Sequence, residues 1–251
     1  MSAIAAGMKI SDGTQMDFRT SPGPGDKRAF IRNHPFFNGL DEGIIGEIAA
    51  RAVTRNLKKN TVVFRKGDAG TTLFLVSAGA VRVSAPSEQG KDAVFNLIVP
   101  GEIFGEIAFL DGEQRTADAV MAEGGTLIVV ERRDFLPLIK SHPELAMRLL
   151  EILCHRLRKT SEQVEDMMFF DVAVRLAKAV LYLHRRADLR HAGATIHITQ
   201  RELSQMIGAS RESTNYELRN WQRRGWLKLE RAGLTVLRPE ALMKLIPDAG
   251  G

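Results

Sequence analysis

Between Gly101 and Ala117 the chain sets a glutamate, Glu106, and the segment's only arginine, Arg115, around a short apolar turn punctuated by glycine. A carboxylate accepts from paired hydroxyls such as those of a ribose, and a guanidinium forks onto phosphate oxygens. Gly105 lacks the side chain that would hold backbone N–H groups away from a ligand. The pattern predicts a site for a sugar phosphate. An enzyme using Glu106 as base and Arg115 as phosphate clamp needs a histidine or a metal-ligating cluster beside them. The six histidines are scattered and form no His-x-x-x-His pair, so binding is expected and catalysis is not.

A second constellation lies near the C-terminus. Thr199-Gln200-Arg201-Glu202 has the form of a capping box, in which the Thr199 hydroxyl and Glu202 carboxylate satisfy the free N–H groups of a helix start. Leu203, Met206 and Ile207 follow on one face. Gly208 ends that helix and Ser210 is placed to cap the next, which runs from Arg211 to Trp221, so the pair reads as a helix-turn-helix. Arg211 falls in the first helical turn, where the macrodipole disfavours a cation by roughly 0.3–1 kcal/mol. Folding alone would not choose it, whereas a reading helix points its N-terminal residues at base edges, where arginine pairs with guanine. Glu212 suits either a base or the helix dipole, and Ser213, Asn215 and Tyr216 suit bases or phosphates. Residues 226–230 and 234–237 read as two strands around a turn, which makes the unit a winged helix. Arg219, Arg223, Arg224 and Lys228 are as consistent with a solvated face as with phosphate contacts.

These residues need a scaffold. Asp41 is a helix N-cap before Ile44, Ile45, Ile48 and Ala49. Short apolar segments from Val62 to Val129 follow, separated by Gly67-Asp68, Ala78-Gly79, Gly90-Lys91, Pro100-Gly101 and Gly124-Gly125. Many short strands with glycine turns predict a small β-barrel or roll. From Glu144 to Ala192 no glycine or proline interrupts the chain, which predicts a long helical region. Within it Leu150, Leu153, Leu157, Thr160, Val164 and Met167 alternate spacings of three and four. That spacing fits a two-stranded coiled-coil seam and equally an amphipathic helix packed on its own domain; polar Thr160 within it favours a seam. Asp171 is placed to cap a further helix, with a hinge at residues 169–171.

The 251 residues allow two modest domains, and a hydrophobic content of 44% is ordinary for a globular protein. No apolar run is long enough for a membrane-spanning helix, and Met1 to Gly25 has no signal-peptide pattern and reads as a loose tail. One cysteine, Cys154, excludes an intrachain disulfide and any four-thiolate site built from one chain, and a cytoplasmic setting is expected. Charge is uneven: 21 Lys and Arg stand against 22 Asp and Glu before Asp171, and 14 against 8 from there on. The basic C-terminal third points to a polyanionic partner.

Taken in order, Phe104-Gly-Glu-Ile-Ala with Arg115-Thr-Ala, Arg156-Leu-Arg-Lys-Thr-Ser-Glu-Gln-Val with Phe170-Asp-Val, and Ile198-Thr-Gln-Arg-Glu-Leu through Gly208-Ala-Ser-Arg-Glu-Ser are a specific set. With them the chain resembles the cyclic-AMP receptor protein (CRP/FNR) family of bacterial transcription regulators, from about Phe30 to Leu237. The resemblance implies an α+β protein. Its parts are a tail at residues 1–29, a jelly-roll β-roll that binds cyclic nucleotide at 30–142, a dimerisation helix at 143–170, and a winged helix-turn-helix at 171–247.

It further implies a pocket formed by Gly105, Glu106, Ile107 and Ala108 with Arg115 and Thr116. Glu106 would take the ribose hydroxyl, Arg115 the cyclic phosphate, and Thr160 and Ser161 the base, with the partner subunit contributing. The DNA-contacting set would be Thr199, Gln200, Ser210, Arg211, Glu212, Ser213, Asn215 and Tyr216. The implied partners are double-stranded DNA with two-fold symmetry, RNA polymerase and a second copy of the chain, with no metal and no membrane. Cyclic AMP is the first expectation for the effector. Arg115-Thr116-Ala117 also looks like cyclic-GMP-binding versions, whose threonine contacts guanine. Tyr216 stands where the family carries a further arginine, which implies an altered half-site. Some relatives sense gases through iron–sulfur clusters or haem; a single cysteine excludes the cluster, and Cys154-His155 reads as packing and surface residues.

Overall fold

The structure, a computed structural model, describes residues 26–86, 93–188, 195–231 and 233–247. The expected tail through Gly25, the expected turn at Gly90-Lys91 and Ala232 of the wing turn lie outside the described residues. Asp26 caps α1 (Lys27–Asn33), accepting the Ala29 N–H at 2.9 Å, so this helix starts within the segment expected to be tail. A 3-10 turn (Pro35–Phe37) and α2 (Glu42–Arg51) follow, with Asp41 capping α2 as its position predicts.

The strands are β1 (Val53–Leu57), β2 (Val62–Phe64), β3 (Thr72–Ala85), β4 (Ala93–Ile98), β5 (Ile103–Phe104) and β6 (Asp118–Glu131), with α3 (Glu106–Asp111) between the last two. They form one antiparallel sheet in the order β1-β6-β3-β4, with β2 on β6 and β5 on β3. Alternation decides what each face meets. Phe74, Val76, Leu127 and Val129 point into the roll, whereas Leu73, Leu75, Ile128 and Val130 point at the helices.

Ala78-Gly79 and Gly124-Gly125 do not separate strands. They lie inside β3 and β6, where the register slips and the paired strands bend. A Cβ at Gly125 would sit 2.0 Å from the Ala78 carbonyl oxygen, so the bend requires glycine.

α4 (Arg132–Ser141) and α5 (Pro143–Phe169) leave the sheet, and α5 spans 27 residues. Leu145 and Leu149, near its start, are buried against the roll, while Leu157, Val164 and Met167 further along are exposed. α6 (Val172–Asp188) begins after Phe170, with Asp171 Oδ1 accepting the Val174 N–H at 2.9 Å. α7 (Gln200–Met206), α8 (Arg211–Arg223), β7 (Leu227–Glu230), β8 (Gly233–Val236) and α9 (Pro239–Met243) complete a winged helix around buried Leu218, Trp221 and Leu234. Val94 and half-buried Leu97 of β4 belong to that same core, so the roll contributes a wall to the C-terminal module.

His34 shows how tightly the helical layer is packed. Its ring is 3% exposed, lies 5.4 and 5.7 Å from the rings of Phe30 and Phe37, and accepts the Phe36 N–H at Nδ1. Burial pushes its pKa down to about 4. Below the ordinary value near 6.5 the unfolded chain takes up a proton that the folded chain refuses, so stability falls as pH drops toward 4. Chemical denaturation at pH 7 and pH 5 should show a loss of about 2 kcal/mol from this group. His34→Asn, whose Oδ1 can replace Nδ1 as acceptor, should lack that increment.

Candidate functional site

The segment around Gly105 is shaped by backbone geometry. Gly105 precedes α3 with φ of 82° and Gly112 follows it with φ of 81°, both left-handed, so a single short helix is closed by glycine at each end. The first turn of α3 leaves backbone N–H groups without helical partners. Ile107 and Ala108 in this turn face a cavity of about 290 Å³, together with Gly105, Glu106, Arg115 and Thr116. Thr160 of α5 closes one side, and Phe64 and Phe95 supply apolar wall. Of the residues assigned to the pocket from the sequence, Ser161 alone is outside this cavity; it is exposed on α5.

Arg115 is anchored on three sides. Nη1 donates to the Gly105 carbonyl at 2.7 Å, and Nη2 donates to the Thr72 carbonyl at 2.7 Å and the Thr72 hydroxyl at 2.8 Å. Its guanidinium carbon lies 4.3 Å from the Phe64 ring centroid. Only 4% of the residue is exposed, and its Nε has no partner among the described residues. Burial draws its pKa below the ordinary arginine value, against the raising influence of Glu106 and Asp68. A rigid, half-satisfied cation of this kind is prepared for an anion.

Glu106 is fully buried. Oε1 pairs with Arg156 Nη1, while Arg156 Nη2 donates to the Ile103 carbonyl. Oε2 is buried with no hydrogen-bond partner among the described residues, and an unmet carboxylate oxygen at a cavity wall calls for a hydroxyl donor. The residues fit a ribose phosphate: an acceptor for the sugar, a cation for the phosphate, and apolar wall for a base. Arg156 was given no role by sequence reading. Its signal was its position one helical turn before Thr160, on the same side of α5. Lys159 and Gln163 also face the cavity, and Lys159 Nζ donates to Asn96 Oδ1 at 2.7 Å and to the Tyr182 hydroxyl at 2.9 Å, tying α5 to β4 and α6.

At the other end the capping box is present as the sequence predicts. The Thr199 N–H donates to Glu202 Oε2 at 2.9 Å and the Glu202 N–H to the Thr199 hydroxyl at 3.1 Å. Gln200 opens α7, half-buried. Glu202 also meets Arg82 of β3 at 2.8 Å, joining the module to the roll. Burial raises the Glu202 carboxyl, but the Thr199 donors and Arg82 outweigh it and hold it below the usual carboxylate range.

Gly208 turns with φ of 61° and Ser210 caps α8, accepting the Ser213 N–H at 3.0 Å. Thr214, Leu218 and Trp221 bury one face of α8, leaving Arg211, Glu212, Ser213 and Tyr216 exposed on the other. Tyr216 is 65% exposed. Asn215 is half-buried, with Oδ1 unpartnered among the described residues. Arg224 lies over Trp226 and Lys228 is 3.4 Å from Glu230, so these two basic residues have partners within the chain.

Residues 54–142 match the family described as the cyclic nucleotide-binding domain, and residues 174–245 match the Crp-like helix-turn-helix domain. A nucleotide-binding roll joined to a winged helix defines a cyclic-nucleotide-binding, DNA-binding regulator. The chain is 31% identical over 216 residues to the cyclic AMP receptor protein of Thermus thermophilus, spanning 86% of this chain and 98% of that one. It is 29% identical over 211 residues to the CRP-like cAMP-activated global transcriptional regulator of Mycobacterium tuberculosis, spanning 83% of this chain and 94% of the other. It belongs to the cyclic AMP receptor protein (CRP/FNR) family of transcription regulators. Its fold is shared with FixK2 of Bradyrhizobium japonicum, at a TM-score of 0.72 and 20% identity over 79% of this chain and 99% of that one. Among the described residues no helix is long and apolar enough to cross a membrane.

Gly105→Ala tests the pocket's geometry. The new Cβ would lie 2.8 Å from Arg115 Nη1 at a left-handed φ, which costs about 1–2 kcal/mol in backbone strain. Thermal unfolding should register that loss, and nucleotide titration should show weakened binding because Arg115 must move.

Proposed function

We propose that this chain works as a homodimer that binds cyclic AMP between the roll and α5 and thereby sets its affinity for a two-fold-symmetric DNA site. Cyclic GMP is the alternative effector, since Thr116 lines the cavity where its hydroxyl can meet guanine. The observation that carries the ligand reading is Glu106 Oε2, buried at the cavity with no donor among the described residues. A ribose 2′-hydroxyl supplies that donor, while Arg115 and backbone N–H groups from Gly105 to Ala108 receive the phosphate. The proposed units are the roll at residues 30–142, extended by α1, the pairing helix at 143–170, and the DNA-reading module at 171–247.

The exposed stripe on α5 supports a dimer. Leu150, Leu157, Val164 and Met167 are each at least half exposed at seam spacing, a pattern that pairing with a second α5 would bury. Ser161 lies next to Thr160 at the flank of that seam, where it reaches the partner's cavity rather than its own. On DNA, Arg211 reads guanine, with Glu212, Ser213, Asn215 and Tyr216 beside it and Thr199, Gln200 and Ser210 toward the backbone. Contact with RNA polymerase on a promoter follows from the family's role as transcription regulators.

Two variants test the two ends. Glu106→Gln keeps the shape and removes the charge, and should weaken cyclic AMP binding by about 1.5–3 kcal/mol in calorimetry with the fold retained. Wild-type affinity would contradict the pocket assignment. Arg211→Ala should lose about 1–3 kcal/mol of discrimination between specific and random duplex while keeping salt-sensitive non-specific binding. Equal losses on both duplexes would make Arg211 a phosphate contact.

A further inference from the structure

A second cavity, of about 420 Å³, opens between α5, α6 and the end of α7. Its α5 wall includes His155, Arg158, Glu162 and Asp166, which fall on the helix face opposite Leu150, Leu157 and Val164. Met167, at the end of the seam, also lines the cavity, so pairing along the seam would cover that edge and leave the arginine side open. Met206, Ile207 and Ile246 give it an apolar floor, and α6 contributes Arg175, Lys178, Tyr182 and Arg185.

The charges around this floor do not cancel. Lys178 pairs with Asp166, and Lys159 is engaged by Asn96 and Tyr182. Arg158, Arg175 and Arg185 remain, facing one carboxylate, Glu162. Among the described residues the side chains of these three arginines make no ion pair or hydrogen bond, and Arg175 Nε is buried without a partner there. Like charges gathered around one cavity repel, so folding alone would not collect them. Guanidinium groups fork onto phosphate oxygens, and the apolar floor suits a flat ring system. The volume lies in the range of small-ligand sites.

We propose that this cleft is a second ligand site, distinct from the one at Glu106, that takes a nucleoside phosphate: the phosphates on Arg158, Arg175 and Arg185, the base on the Met206 and Ile207 floor. The site touches the DNA-reading module directly. Arg175 Nη1 lies 4.0 Å from where a Cβ on Gly208 would stand, at the turn between α7 and α8. Lys159 and Gln163 line both cavities, so the two ligands would share a wall.

Equilibrium dialysis of the full chain against ADP tests this directly. ADP should bind wild type and Glu106→Gln with the same affinity, and the double variant Arg158→Glu, Arg185→Glu at least roughly tenfold more weakly. Inorganic pyrophosphate, which has nothing to place on the floor, should bind at least roughly tenfold more weakly than ADP. No ADP binding to wild type would overturn the proposal, as would ADP binding lost in Glu106→Gln, which would put ADP in the first cavity. Pyrophosphate binding as tight as ADP would overturn the nucleoside assignment. Weakened duplex binding by the double variant with no ADP binding would assign the arginines to the DNA backbone instead.

Discussion

A carboxylate with no exposure to water and one oxygen compensated is the constraint on which the rest depends. Burying a charge costs several kcal/mol unless it is paired and hydrogen-bonded, and Glu106 is held by a single arginine. That arginine, Arg156, does not belong to the roll. It comes from α5, so the state of Glu106 is coupled to the helix that carries the proposed pairing surface. On the proposed reading, a ligand hydroxyl arriving at Oε2 would complete the carboxylate's shell and change what Arg156 is needed for. Arg115, held by Gly105, Thr72 and Phe64, is the proposed charge for the phosphate and is already fixed in place.

α5 is where local events become global ones. Its start is packed in the roll, its exposed stripe is the proposed pairing surface, and Lys159 reaches β4 and α6 from its middle. Toward its end Asp166 pairs with Lys178, and Met167 packs against the Gly208 turn that separates the two helices of the reading motif. Outside α5, Arg82 grips Glu202, the residue that also caps α7, and Val94 and Leu97 enter the module's core. A shift of α5 therefore has several short routes to α8. A ligand can exploit them only by binding one arrangement more tightly than another.

The parts of the fold set by local chemistry were legible in the sequence. The capping box at Thr199 and Glu202, the Ser210 cap, the Asp41 and Asp171 caps and the reading helix from Arg211 each depend on residues within a few positions of one another. That Gly105, Glu106 and Arg115 line one cavity was legible because they lie in one short segment around a glycine turn. What depends on distant pairing was not. Gly79 and Gly125 look like turn residues until β3 and β6 are paired, when they become the points where two backbones nearly touch. Arg82 and Glu202 are 120 positions apart, and nothing near either predicts the other. α4 carries Pro137 inside it, which hides a helix from propensity, and α1 is short and depends on the Asp26 cap.

If the pocket at Glu106 and Arg115 is the input of a DNA switch, the two binding events must be linked with one coupling energy. The direct measurement is the affinity for cyclic AMP with and without saturating specific duplex, set beside the affinity for that duplex with and without cyclic AMP. The expected result is an equal change in both affinities, typically of about 5–150-fold, that collapses toward unity in Arg156→Ala while the duplex affinity without nucleotide is kept. Cyclic AMP bound equally well by the free and the DNA-bound protein would contradict the account.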